Sequence, residues 1–215
     1  MARRSTASFF ARAYERNLKA LTKLTLSNGK RVAGQVQRAT AKRLKPPPGK
    51  GDWISGMAMG AGGARGYHLF RPADLVLQPG EKLPLMVMLH GCGQTGRDFA
   101  ASTRMNALAV RQRFLVLYPE QDRIAHPQGC WNWYERRSGK ADAEAATLMA
   151  AVAQACMLYP HGPVRVAVAG LSAGASMAAL LATRYPNRFR AVVMHSGVAP
   201  GAAKSSATAL GAMRG

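Results

Sequence analysis

Long apolar runs are missing from this sequence. No stretch of about 18 apolar residues occurs, which excludes a helix spanning a bilayer. Cysteine is scarce, with three in 215 residues. That is too few for a scaffold built on disulfides, and no spaced Cys/His cluster points to a structural zinc site. Acidic residues are few, 10 Asp+Glu against 30 Lys+Arg, for a net charge of +20. A readable secretory leader is also missing. The first residues hold no apolar core of about 7–15 residues followed by a small-residue cleavage site. What is present is 48% hydrophobic residues with 22 Gly and 12 Pro. This composition excludes wholesale disorder and suits one α/β domain with loops and room for a tail.

The positive charge is concentrated at the front. Residues 1–50 carry 13 Lys/Arg and one acid, Glu15, while residues 51–215 carry a net +8. A basic leader attracts polyanions, such as nucleic acid, anionic lipid or a charged polymer surface, or simply solubilises the chain. No specific nucleic-acid motif accompanies it. Its Arg-rich, acid-poor start is like an organelle transit peptide. Equally, Phe10, Tyr14, Leu18, Leu21 and Leu24 fall at helical spacing and make an amphipathic helix. Pro46-Pro47-Pro48-Gly49 reads as a stiff linker, so residues 1–50 form a basic extension ahead of a domain at 51–215.

Gly56–Gly66 reads as a β-hairpin or loop, and Tyr67–Arg71 as a short strand. Beyond Leu83 strands and helices alternate. Leu85–Leu89 is a short apolar run between Pro84 and Gly91, the pattern of a strand buried on both faces. A helix is expected over 97–111, a strand over 114–118 and a loop rich in Pro, Gly and Trp over 120–139. A long Ala-rich helix follows over 142–158, then a strand over 164–169, a helix over 173–185 and a strand over 191–194. Residues 202–215 show no clear element. This order predicts a mostly parallel sheet wrapped by helices on both faces.

The sharpest motif is Gly170-Leu171-Ser172-Ala173-Gly174, between a strand and a helix. A turn that tight holds its serine in a strained backbone conformation and leaves no room for side chains beside it. The Ser172 hydroxyl is expected to stand above the sheet at a helix N-terminus, where backbone N–H groups favour negative charge. The bland alternative is a helix entry capped by serine. A second motif, His90-Gly91-Cys92-Gly93-Gln94-Thr95-Gly96, follows the first buried strand. A hydrolase of this build places an oxyanion donor there. The expected donors are the N–H groups of Cys92 and Ala173. His90 is read as ordering the loop by hydrogen bonding rather than as a catalytic base.

Together with Gly129-Cys130-Trp131-Asn132-Trp133 and His195-Ser196-Gly197, these motifs resemble the esterase family of polyhydroxybutyrate depolymerases, related to feruloyl and acetylxylan esterases. The resemblance covers about residues 50–215. It implies an α/β-hydrolase fold, a serine esterase and no metal or organic cofactor, with short-chain polyhydroxyalkanoate as the leading substrate. A feruloyl or acetylxylan esterase is the alternative. The resemblance also implies a Cys92–Cys130 disulfide, although two cysteines near one site can remain reduced. Trp131, Trp133 and Tyr134 are expected to line an apolar cleft, or else to pack inward as core. Cys156 reads as a small core residue. The family is commonly extracellular, which the absent leader opposes, so a cytoplasmic location is the alternative.

In this fold the catalytic acid and base follow the nucleophile in the chain. After Ser172 there is no Asp or Glu, and the only histidine is His195. In the resembling family that position is not the base. The expectation is therefore a partial hydrolase domain whose catalytic Asp and His are not present in this chain. A non-catalytic binder with a polyanion- or granule-binding tail is the rival. A sheet that stops at 191–194 is also expected to leave an apolar edge unpaired.

Overall fold

The computed structural model describes residues 46–215, apart from 74, 80, 159–164, 200 and 215. Residues 47–215 form one compact unit. The expected amphipathic or transit-like segment lies outside the described residues. No helix among the described residues is long and apolar enough to cross a membrane.

The chain opens with a hairpin of β1 (Gly51–Gly60) and β2 (Gly63–Pro72). Then come β3 (Leu85–Leu89), helices α1 (Gly96–Thr103) and α2 (Met105–Gln112), β4 (Leu115–Pro119) and α3 (Lys140–Met157). The last elements are β5 (Val166–Leu171), α4 (Ala173–Arg184), β6 (Phe189–His195) and α5 (Ser206–Arg214). They build a six-stranded sheet in the order β1-β2-β4-β3-β5-β6. Only the β1–β2 and β2–β4 pairings are antiparallel. The expected mostly parallel, doubly covered sheet is thus the observed one, with an antiparallel hairpin added at one edge.

Strand β3 explains why the core is two-sided. Alternate side chains point to opposite faces of a strand. Leu85, Val87 and Leu89 join the larger core under α3 and α4. Met86 and Met88 pack on the other face with Phe99, Ala100 and Ala109 of α1 and α2. Both faces are apolar, so the run has no polar alternation.

Two sequence expectations are corrected here. The single helix expected over 97–111 is broken at Arg104, whose left-handed φ of 54° ends α1 and begins α2. Ser102 and Thr103 both turn their hydroxyls onto the Phe99 carbonyl, a local competition with the helical ladder. Within residues 202–215, which show no clear element in the sequence, lies α5, with Ala203 and Ala209 packed against the core. Small side chains hid this helix, because alanine gives little periodic signal.

At the opposite edge from the hairpin, β6 pairs with β5 alone among the described residues. Val192, Val193 and Met194 are 40%, 55% and 41% exposed.

Candidate active site

The parallel register sets where the site falls. Leu89 pairs with Gly170, so β3 and β5 end side by side and their following loops meet above the sheet. Ser172 sits in the turn between β5 and α4 at φ 55° and ψ −121°. That conformation costs an ordinary residue about 1–3 kcal/mol and persists only where the surroundings enforce it. Three bonds do so. The Ser172 N–H donates to the His195 carbonyl at 2.9 Å, and the Ser172 carbonyl accepts from Ala175 and Ser176 at 2.9 and 3.1 Å. The two glycines of the motif are needed for space. A Cβ on Gly170 would overlap the Gly174 carbonyl and meet the Ala175 nitrogen at 2.5 Å. On Gly174 it would overlap the Leu89 carbonyl and meet the His90 oxygen at 2.5 Å. The first turn of α4 therefore rests on the end of β3. Ser172 itself is half-buried rather than enclosed. Among the described residues its hydroxyl has no hydrogen-bond partner.

The loop after β3 is tied from several sides. The Gly91 N–H donates to Gln94 Oε1 at 2.9 Å. The Gly93 N–H donates to the Gln128 carbonyl, and the Gln94 N–H to the Gly91 carbonyl. In this stretch the Cys92 N–H is the amide left without an acceptor among the described residues. The Ala173 N–H is in the same state, as the opening amides of a helix are. A Cβ on Gly91 would lie 3.5 Å from the Leu171 carbonyl, so this loop abuts the serine turn. The loop that carries Cys92 and the first turn of α4 thus lie beside the turn that holds Ser172.

Cys92 and Cys130 form a disulfide across a separation of 38 residues. In the chain-entropy account, closing a loop of that length stabilises the fold by about 4 kcal/mol. It joins the loop after β3 to the Trp-bearing segment.

That segment corrects one expectation. Trp131 has no exposure at all, and its Nε1 donates to the His90 carbonyl at 2.9 Å. It cannot wall an open cleft, because no part of it reaches the surface, and its one polar atom braces the loop. Trp133 and Tyr134 are also buried, packed edge to face with ring centroids 5.5 Å apart. Of the two readings of these rings, the packed interior is the one observed. Cys156 is half-buried against the same core, and burial raises its thiol pKa.

His90 is fully buried and has both ring nitrogens engaged. Nε2 accepts from the Gln121 N–H at 3.1 Å, and Nδ1 lies 2.8 Å from the Gly91 carbonyl. This requires the neutral ring with its proton on Nδ1. Burial pulls its pKa below the ordinary 6.5, outweighing the Gly91 bond and the Glu120 and Asp98 carboxylates, which act the other way. His126 on the disulfide-bearing segment is lowered as well, by burial and by Lys140. The unfolded chain therefore binds more protons than the folded one below pH 6.5. Stability is full above that value and falls as pH drops toward the folded pKa. The urea midpoint is expected to decrease between pH 7 and 5, and His90→Asn to flatten that slope. An unchanged slope in the variant would show that His90 does not titrate on unfolding.

The sequence scan missed a buried polar cluster beneath the loop, formed by Arg65, Gln121, Asn132 and Glu144. Glu144 carried a usable signal. It falls three residues after Ala141 and four before Leu148, on the buried stripe of α3.

Residues 65–215 match the family described as "Esterase PHB depolymerase". Poly(3-hydroxyalkanoate) depolymerase C of Paucimonas lemoignei is 37% identical over 107 residues, covering 49% of this chain and 26% of that protein. Acetylxylan esterase A of Talaromyces purpureogenus is 29% identical over 188 residues, covering 85% of this chain and 45% of that protein. The chain thus spans less than half the length of either relative. Among solved structures, an acetyl xylan esterase from Aspergillus awamori superposes with a TM-score of 0.63 at 23% identity. That match covers 74% of this chain and 56% of the other, and it shows the α/β-hydrolase fold.

Proposed function

The chain belongs to the polyhydroxybutyrate depolymerase esterase family, and from that membership we propose that the protein hydrolyses carboxylic esters with Ser172 as nucleophile. One observation carries the reading: a serine held at φ 55° on a strand–helix turn, against a loop with a free amide. Ser172 Oγ attacks the ester carbonyl and gives up its proton to a base. The carbonyl π electrons move onto oxygen, and the Cys92 and Ala173 N–H groups hold the resulting oxyanion. Collapse expels the alcohol, which takes the proton, and leaves an acyl-enzyme. Water then attacks the acyl carbon, releases the acid and returns the proton to Ser172. No metal or organic cofactor enters these steps. This reading assigns Ser172 and the two amides, and it names no residue as the base.

The leading substrate is a short-chain polyhydroxyalkanoate, released as hydroxy acid. The similarity to a depolymerase at 37% identity supports it. A feruloyl or acetylxylan ester is the alternative, supported by the longer match to an acetylxylan esterase. Incubation with hydroxybutyrate oligomers and with acetylated xylan separates the two. Hydroxy acid release is expected to exceed acetate release, and the reverse ranking transfers the assignment to acetylxylan. The Cys92–Cys130 bond supports an extracellular location, since such bonds persist where glutathione does not reduce them. The excess of Lys and Arg over residues 1–50 supports attachment to a polyanion or polymer-granule surface, with a solubilising leader as the alternative.

A second reading is favoured by the Ser172 hydroxyl, which has no hydrogen-bond partner among the described residues. It is a polymer binder without turnover. Salt-dependent binding to polymer granules with no product release would select it.

A further inference from the structure

Four separate contacts brace the loop 90–94, and every one of them comes from a single segment, 121–131. The Gln121 N–H donates to His90 Nε2. Trp131 Nε1 donates to the His90 carbonyl. The Gln128 carbonyl accepts from Gly93. Cys130 is bonded to Cys92. The position of the Cys92 amide therefore depends on what holds that segment. The segment is irregular, so no ladder of its own fixes it.

Turn bonds of its own and Lys140 Nζ on the Ala125 carbonyl hold its middle, and its two ends converge on one carboxylate. Glu144, on α3, is 1% exposed. Its Oε2 accepts from the Asn132 N–H at 2.7 Å. Its Oε1 accepts from Asn132 Nδ2 at 3.2 Å, Gln121 Nε2 at 2.6 Å and Arg65 Nη2 at 3.1 Å. Gln121 Nε2 also reaches the Cys130 carbonyl at 2.9 Å, and Gln121 Oε1 accepts from Arg65 Nε at 3.0 Å. The contacts close into a circuit running from His90 through Gln121, Glu144, Asn132 and Trp131 back to His90. A buried ion pair is weak support for stability, because desolvation offsets most of the attraction. Its directional bonds, by contrast, fix geometry, and a fully satisfied buried network holds one arrangement.

We propose that Glu144 is a positioning residue for the Cys92 amide, acting through Gln121 and Asn132 on the far side of the segment that braces the loop. This rests on the reading of Cys92 and Ala173 as oxyanion donors. A misplacement of about 1 Å at a reacting centre is enough to cost about 10²-fold in rate. Glu144 contacts neither the substrate nor the hydroxyl in this scheme.

The test compares four full chains: wild type, Glu144→Gln, the double variant Arg65→Met/Glu144→Leu, and Leu148→Ala. Leu148 lies on the same helix, is fully buried and belongs to the apolar core. The double variant removes the pair together, which leaves no orphaned charge. Hydrolysis of para-nitrophenyl acetate is read as kcat and KM, with urea midpoints measured alongside. The expected result is a fall in kcat of about 10²-fold in both Glu144 variants, with KM within about twofold of wild type. Leu148→Ala is expected to keep its kcat while losing stability. A double variant that regains both stability and wild-type kcat overturns the proposal, since Glu144 would then serve folding alone.

A wild type without turnover counts against the esterase reading, not against this one. The positioning role is then decided by amide hydrogen exchange at Gly93, whose N–H is bonded to Gln128. That amide is expected to exchange at least about tenfold faster in the double variant than in wild type, with core amides unchanged. Equal protection in the two proteins overturns the proposal.

Discussion

Where wild type turns over a short-chain para-nitrophenyl ester, replacing Ser172 by alanine is expected to lower kcat by at least about 10³-fold while leaving the free energy of unfolding within about 0.5 kcal/mol of wild type. The two halves of this expectation have different causes. Removing the hydroxyl removes the atom that forms the acyl-enzyme, so only the oxyanion donors and substrate binding remain to assist water. The side-chain oxygen makes no hydrogen bond among the described residues, so its loss orphans no buried donor. The backbone keeps its φ of 55° in either protein, because Ala173, Gly174 and the His195 carbonyl dictate it. Alanine and serine pay nearly the same for that conformation. Ester hydrolysis and circular dichroism on the same preparations check both halves. A variant that retains more than about a tenth of the wild-type rate places the chemistry elsewhere.

What the sequence made legible follows from how local each feature is. The run Leu85–Leu89 showed a doubly buried strand because both of its faces are apolar. The serine turn was legible because its requirements fall within five consecutive residues, with glycine wherever a Cβ would strike backbone. The break at Arg104 was not legible, since neither glycine nor proline marks it. The polar network under the loop was hidden for another reason. Arg65 and Glu144 stand 79 residues apart, and each of the four side chains reads singly as surface. Only the β2–β4 pairing and the packing of α3 against the hairpin bring them together. The Trp-rich segment shows the same limit. Aromatic residues near a motif suit a cleft wall and a core equally well, and the choice depended on the His90 carbonyl waiting for the Trp131 N–H. Non-local electrostatics and the direction of a side chain from an irregular loop are the two things that spacing does not encode.

Gly174→Ala tests the junction between α4 and β3 from the side of stability, and helix propensity alone predicts the wrong sign. An alanine in place of a helical glycine gains about 1 kcal/mol. Gly211 in α5 is the control. Nothing lies within 4 Å of a Cβ placed there, so Gly211→Ala is expected to follow propensity and raise stability by a few tenths to about 1 kcal/mol. At Gly174 the added carbon strikes the Leu89 carbonyl, with the His90 oxygen at 2.5 Å and the Leu89 carbon at 2.7 Å. These are backbone atoms at the end of β3 and the residue after it, where Leu89 is paired with Gly170, and no rotamer change relieves them. Overpacking a core costs typically 1–3 kcal/mol, and more where backbone must move. The net expectation is a loss of about 3 kcal/mol, which in a domain of this size lowers Tm by roughly 6–12 °C. The helix must tilt off the end of β3 to admit the methyl, carrying the Ala173 N–H away from the Cys92 loop. Ester hydrolysis is therefore expected to fall even at temperatures where the variant is fully folded. Were Gly174→Ala as stable as Gly211→Ala, the close seating of α4 on β3 would be wrong, and the common target of the two amides with it.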